Sequence, residues 1–219
     1  MSRIRIAPIV EGHGEVVAAR TLLMRVWHEI VRGEFIDVLR PVRQPRSKLL
    51  RRDSATGRTE PEPEEIHRAI KLAAMKLGGS DDPSTPALVL LLIDADEDCP
   101  RHAVEALRNV LADAKPAIDL AVVFACVEYE TWFVAAAESL REYVRLQPGN
   151  DNVVNPELQR LGKSWIESRF LGTKYSETVD QVKLTAAMDL GLCRQRCPSF
   201  DKLCRELENR AKSAPGRSE

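Results

Sequence analysis

The hydrophobic pattern alternates between two periods. From Arg3 to Val10, Ile4, Ile6 and Val10 share one side, the two-residue repeat of a strand. Val16, Ala19, Leu23, Val26 and Ile30 then recur at three and four residues, the stripe of an amphipathic helix. Phe35 to Val42 reads as a second strand. Ile66, Ile70, Ala73 and Leu77 make a second helical stripe, which Gly78 and Gly79 end. Leu88 to Ile93 is an unbroken aliphatic run, as expected of a strand buried on both faces. A third helix from about Pro100 turns Val104, Leu107 and Leu111 inward, and Leu120 to Val127 is a fourth buried strand. The order β-α-β-α-β-α-β predicts the α/β class: a Rossmann-like, four-stranded, mainly parallel sheet with helices on both faces.

Beyond Val127 the pattern is helical. Glu128 to Tyr143 carries Trp132, Phe133 and Leu140, all read as core, and residues 147 to 156 form a Pro/Gly/Asn loop. Helices are expected near Glu157–Phe170, Glu177–Leu190 and Phe200–Arg210, followed by a frayed tail. The expected organisation is a core over 1–135, a helical extension over 136–212 packed on it, and a disordered tail at 213–219.

Composition narrows the class. A chain of 219 residues can bury a sizeable core. A net charge of −1 gives no global attraction to polyanions, so local charge must carry any such role. No apolar run is long enough to span a bilayer, and the amino terminus lacks the segment of a signal peptide. Five cysteines without CxxC pairs argue against a disulfide framework or zinc ribbon. A reducing cytoplasm is the expected location.

Between Arg43 and Arg58 the chain turns basic. Arg43, Arg46, Lys48, Arg51, Arg52 and Arg58 face one acid, Asp53. The segment reads as a mobile insertion over about 43–62, with Arg46, Lys48, Arg51 and Arg52 as candidate contacts to nucleic-acid phosphates.

The candidate chemistry lies where strands end. Leu88–Asp98 reads LVLLLIDADED, an apolar strand running into four carboxylates. If extended geometry persists past the strand, Asp94 and Asp96 leave one face and repel unless a cation or proton neutralises them. Mg²⁺ takes such oxygen ligands. The first strand also ends in an acid, in Glu11-Gly12-His13-Gly14-Glu15. If the two strands are neighbours, their carboxylates converge. His13 is read as a turn residue, and Asp98 as a cap for the helix after Pro100.

Glu11-Gly12 after the first strand and Asp94-Ala95-Asp96 after the third resemble the TOPRIM superfamily signature. The spacing to Glu15 is similar to the nuclease branch typified by overcoming-lysogenisation-defect proteins. Glu128-Tyr129-Glu130-Thr131-Trp132-Phe133 and Lys174-Tyr175 are similar to stretches of small TOPRIM-like proteins encoded beside ATPases in phage-defence loci. The resemblance implies a Mg²⁺- or Mn²⁺-dependent nuclease with one or two ions on Glu11, Glu15, Asp94 and Asp96. Glu128 or Glu130 would hold a second ion or a water, and Lys174 would neutralise charge on the scissile phosphate. It allows a separately encoded ATPase as partner, and a homodimer. No P-loop and no identifiable topoisomerase tyrosine accompany the motifs.

Three rivals are weighed. A haloacid-dehalogenase-like phosphatase also ends a strand in DxD, but that motif usually opens the fold. A dinucleotide site at Gly12-His13-Gly14 lacks the third glycine, since Val17 stands there. A non-catalytic metal-binding subunit of an ATPase-linked complex would carry the same acids.

Overall fold

The structure is a computed structural model describing residues 3–52, 59–78, 85–114, 119–146 and 153–213. Strand β1 (Arg3–Val10) leads into helix α1 (His13–Arg25), which continues as a wider π-helical turn over Val26–Val31. Strands β2 (Phe35–Val38) and β3 (Val42–Arg43) follow, then a single-turn helix α2 (Arg46–Leu49) and a hairpin of β4 (Leu50–Arg52) and β5 (Thr59–Pro61). Helix α3 (Pro63–Leu77), strand β6 (Ala87–Asp94), helix α4 (Pro100–Ala114) and strand β7 (Asp119–Ala125) complete the alternating half. The rest is helical: α5 (Glu130–Ala135), a 3₁₀ turn at Ala137–Leu140, α6 (Lys163–Arg169), α7 (Glu177–Ala187), α8 (Leu190–Arg196) and α9 (Pro198–Ser213).

The main sheet is parallel throughout. β1 pairs with β6 on one side and with both β2 and β3 on the other, and β6 pairs with β7. It therefore holds five strands among the described residues, not the four expected. The single strand expected over Phe35–Val42 is broken in two. Pro41, which has no amide hydrogen for the ladder, falls in the gap. The basic insertion is more ordered than expected: its described part forms α2 and the β4–β5 hairpin, with Leu49 and Leu50 buried. Arg58, Asp53 and most of the 147–156 loop lie outside the described residues, as does the expected tail from 214.

Strand periodicity sorts the core into two layers. Ile4, Ile6, Leu88, Leu90, Leu92, Ala121 and Val123 face α1 and the carboxy-terminal helices. Ala7, Ile9, Val89, Leu91, Ile93 and Phe124 face α3, α4 and the hairpin. The first layer runs on without a break through Trp132, Phe133, Leu184, Phe200 and Leu207. The helical extension thus covers one face of the sheet and shares its core. Helix boundaries moved most there: α6 starts at Lys163, and Met188-Asp189 separates α7 from α8, which the pattern did not predict. Among the described residues no helix is long and apolar enough to cross a membrane.

Candidate functional site

In chain order the four longer parallel positions are second, first, third and fourth, reading β2-β1-β6-β7. The chain leaves β1 toward one edge and returns past it to build the other. The switch point of such a sheet, outside the carboxyl ends of the two strands where the order reverses, is where ligands bind. Here those strands are β1 and β6. Val10 pairs with Leu92, so Glu11 leaves β1 beside the end of β6, where Asp94 pairs with Ala125 of β7. Three residues after Ala125, β7 delivers Glu128 and then Glu130. Three adjacent strands therefore end in acids.

The surroundings of these acids record their convergence. Asp94 keeps some surface in contact with solvent, yet protein surrounds it densely enough that desolvation dominates its carboxyl. Its pKa is held well above the usual carboxylate range by that burial and by the charges of Glu15, Glu130, Glu11 and Glu128. Burial, then the charges of Asp96 and Glu15, push Glu11 up to about 7 against the pull of Arg46. Glu11 Oε2 is buried without a hydrogen-bond partner. Glu130 is buried and raised to about 8 by desolvation, although the Tyr175 hydroxyl donates to its Oε1 at 2.8 Å.

Other acids are partly committed. The Gly12 amide donates to Glu15 Oε2 at the start of α1, filling one of the orphan donor positions of that helix end. Gln181 of α7, fully buried, donates from Nε2 to Glu15 Oε1 at 3.2 Å and to Glu130 Oε1 at 3.4 Å. Glu128 accepts the backbone amide of Lys163 at the start of α6, and burial raises its carboxyl. Among the described residues, no three His, Cys, Asp or Glu groups close around a point as they stand. The donor set still fits a hard cation, because it is all oxygen and it leaves Glu11 Oε2 unsatisfied.

The backbone is strained at the same edge. Extended geometry does not persist past β6: Asp96 has φ 50°, so Asp94 and Asp96 do not leave one face as expected. Val127 has φ 66°, a rare conformation for a β-branched residue. The two are locked together, with the Asp96 amide donating to the Val127 carbonyl at 2.7 Å. Arg160, itself at φ 51°, donates from Nη2 to the Asp96 carbonyl at 2.9 Å and pairs with Glu97 at 3.1 Å. Strain of this kind concentrates at functional sites.

Arg46 belongs to this edge rather than to a free phosphate-binding surface. It is 9% exposed, donates from Nε to the Asp94 carbonyl at 3.1 Å and pairs with Asp98. Asp98 also accepts from Thr59 of the hairpin, so its side chain ties the hairpin and Arg46 together just before α4. Lys48, Arg51 and Arg52 are exposed, with Arg51 paired to Glu62 at 2.9 Å. Arg52 lines a groove of about 410 Å³ with Arg46, Asp96, Glu97, Asp98, Val127 and Glu128. Lys174 is exposed and opens onto a different concavity of about 450 Å³, with Phe170, Asp180 and Lys183 among its walls. Its neighbour Tyr175 is the residue of that pair which reaches the acids. His13 is exposed, and Trp132 and Phe133 are core.

Sequence reasoning missed Gln181, Arg160 and Lys163. No motif surrounds them, and only tertiary packing brings them to the sheet edge. Gly14 makes room for one of them, since a Cβ there would fall 2.0 Å from Gln181 Oε1.

Fold and edge together define a Rossmann-like α/β protein with a carboxylate cluster at the switch point of its parallel sheet. The chain belongs to the family described as Domain of unknown function (DUF4276), whose model matches residues 10–208. That span runs from the last residue of β1 into α9, so it takes in the whole acidic edge. No curated protein and no solved structure matches the chain.

Proposed function

We propose that the protein is a Mg²⁺- or Mn²⁺-dependent hydrolase of nucleic-acid phosphodiester bonds, a nuclease of TOPRIM-like type. The observation that carries this reading is the convergence of Glu11, Asp94 with Asp96, and Glu128 with Glu130 from three neighbouring strands onto the switch point. Buried carboxylates that raise one another's pKa are a site awaiting positive charge. A bound ion would supply a water of lowered pKa and charge stabilisation for the phosphate oxygens.

The chain's own residues divide the remaining work. Glu11, Asp94 and Asp96 offer oxygens to an ion, with Glu15, Glu128 and Glu130 behind them. Tyr175 and Gln181 orient Glu130 and Glu15 from the helical side. Arg46 and Arg160 hold the strained Asp94–Asp96 backbone through its carbonyls. A polymeric substrate is favoured over a small phosphomonoester by the shape of the surface. The groove beside Asp96 adjoins another of about 580 Å³, and both are lined by Arg52, Glu97 and Asp98.

Calorimetry with Mg²⁺ and Mn²⁺ on wild type and Asp94→Asn tests the site, and digestion of plasmid DNA and RNA tests the reaction. Wild type is expected to bind metal and cut, and Asp94→Asn to lose at least tenfold in metal affinity together with cutting. Equal metal binding by the two proteins removes the reading.

A further inference from the structure

An ion pair crosses the mouth of the acidic edge. Lys163 opens α6, and its backbone amide donates to Glu128 beyond the end of β7. Gly162 lies so close to the same carboxylate that a Cβ there would fall 2.0 Å from Glu128 Oε1. The Lys163 ammonium reaches Glu177 Oε1 at 2.6 Å. Glu177 opens α7 and lies against the start of α1, its Cβ 3.0 Å from where a Gly14 Cβ would be. One end of the pair is thus anchored after β7 and the other after β1. Between those strands lies β6, with Asp94 at its end. The charge of buried Glu130 also acts on the ammonium.

We propose that Lys163 is the phosphate-contacting cation of the site and that Glu177 holds it in reserve across the mouth until a substrate phosphate takes it. This rests on the phosphodiesterase reading above. The cations around the edge differ in what they are tied to. Arg46 is bound to the carbonyls of Asp94 and Ala95 and to Asp98, and Arg160 to the carbonyl of Asp96 and to Glu97. Withdrawing either would undo the strained turn. Lys163 is tied through its side chain to a half-exposed carboxylate, at side-chain exposures of 40% and 41%. Pairs that wet hold little net stability and exchange partners easily. A lysine ammonium on a flexible four-carbon stem can also swing, which a packed guanidinium cannot. An incoming phosphate brings formal charge and several acceptor oxygens to the place where the ammonium waits. Lys174, the lysine expected from sequence for this role, faces another concavity.

The test compares Lys163→Met, Lys163→Arg, Glu177→Gln, Lys174→Met and Asp94→Asn. Three quantities are read: Mg²⁺ affinity, cleavage kinetics in Mg²⁺, and affinity for a short fluorescent oligonucleotide in Ca²⁺. Lys163→Met is expected to lower kcat about a hundredfold, the scale for losing one charge-stabilising donor. It should weaken oligonucleotide binding several-fold and leave Mg²⁺ affinity within about twofold. Lys163→Arg should restore binding more than turnover. Glu177→Gln should tighten oligonucleotide binding, because the latch is released. Wild-type cleavage and binding by Lys163→Met, with Asp94→Asn inactive, overturns the inference and leaves the nuclease reading standing. Loss in Lys174→Met with Lys163→Met intact also overturns it. If Asp94→Asn behaves as wild type, the nuclease reading fails. The oligonucleotide arm then decides Lys163 alone, and unchanged affinity in both Lys163→Met and Glu177→Gln overturns its role.

Discussion

Glu11 and Glu130 make stability depend on pH in an unusual direction. Their carboxyls rise from an ordinary 4.5 to about 7 and about 8 in the folded chain. The folded state therefore binds more protons than the unfolded state between about pH 4.5 and 8, and stability falls as pH rises through that window. Thermal unfolding of the metal-free protein should show Tm dropping from about pH 5 to about pH 8, with Mg²⁺ raising Tm more at the upper end. An equal Mg²⁺ shift at both ends would separate these two acids from the ion. Asp94→Asn removes a carboxyl whose ionisation the fold resists, so it should stabilise the metal-free protein at neutral pH by about 1 kcal/mol while weakening metal binding at least tenfold. Val127 tests the strain directly. Left-handed backbone costs a non-glycine residue about 1–2 kcal/mol, partly offset by glycine's extra freedom in the unfolded chain. Val127→Gly should leave stability unchanged or raise it by up to about 1 kcal/mol in chemical denaturation. A loss beyond 1 kcal/mol would mean that the valine side chain, not the turn, is what matters.

Elements rich in apolar residues were legible from sequence, and those defined by charge or packing were not. β1, β6 and β7 announce themselves because Ile4, Ile6 and the run Leu88–Ile93 have no reasonable place but a sheet. The acids that follow them could be read as strand ends for the same reason. α2 and the β4–β5 hairpin were invisible because Arg51 and Arg52 face solvent while only Leu49 and Leu50 reach the core. The capping of α6 by Glu128 was equally hidden, since the two are 35 residues apart in sequence. α1 and α7 meet through Gly14, where a Cβ would collide with Gln181 and crowd Glu177. Gly14→Ala should therefore cost about 1–3 kcal/mol in urea unfolding, the range for an overpacked contact, despite alanine's better helix propensity. A stabilised Gly14→Ala protein would show that the helices can separate freely.

At the scale of the whole molecule, one core layer joins sheet and extension. Ile4 and Leu90 belong to the same buried cluster as Phe200 and Leu207. A fragment ending at residue 135 should lack cooperative unfolding and near-ultraviolet dichroism, because it exposes that layer. A fragment that melts cooperatively would establish two independent domains. Charge has a separate whole-molecule effect. With a net charge of −1, attraction to a polyanion must be local, and Lys48, Arg51 and Arg52 are exposed candidates for it. The double replacement Arg51→Ala and Arg52→Ala should weaken binding and flatten its dependence on log salt by about 1–2 units, near 0.9 per lost phosphate contact. An unaltered slope would return the hairpin to a structural role. The acidic edge begins with Glu11 in the turn after β1 and is braced by Gln181 of α7, segments that emerge from the ribosome far apart in time. Domains fold as they are synthesised, amino-terminal parts first. A cutting centre of the proposed kind, with Glu15 and Glu130 held by Gln181, stays inert until α7 has been made.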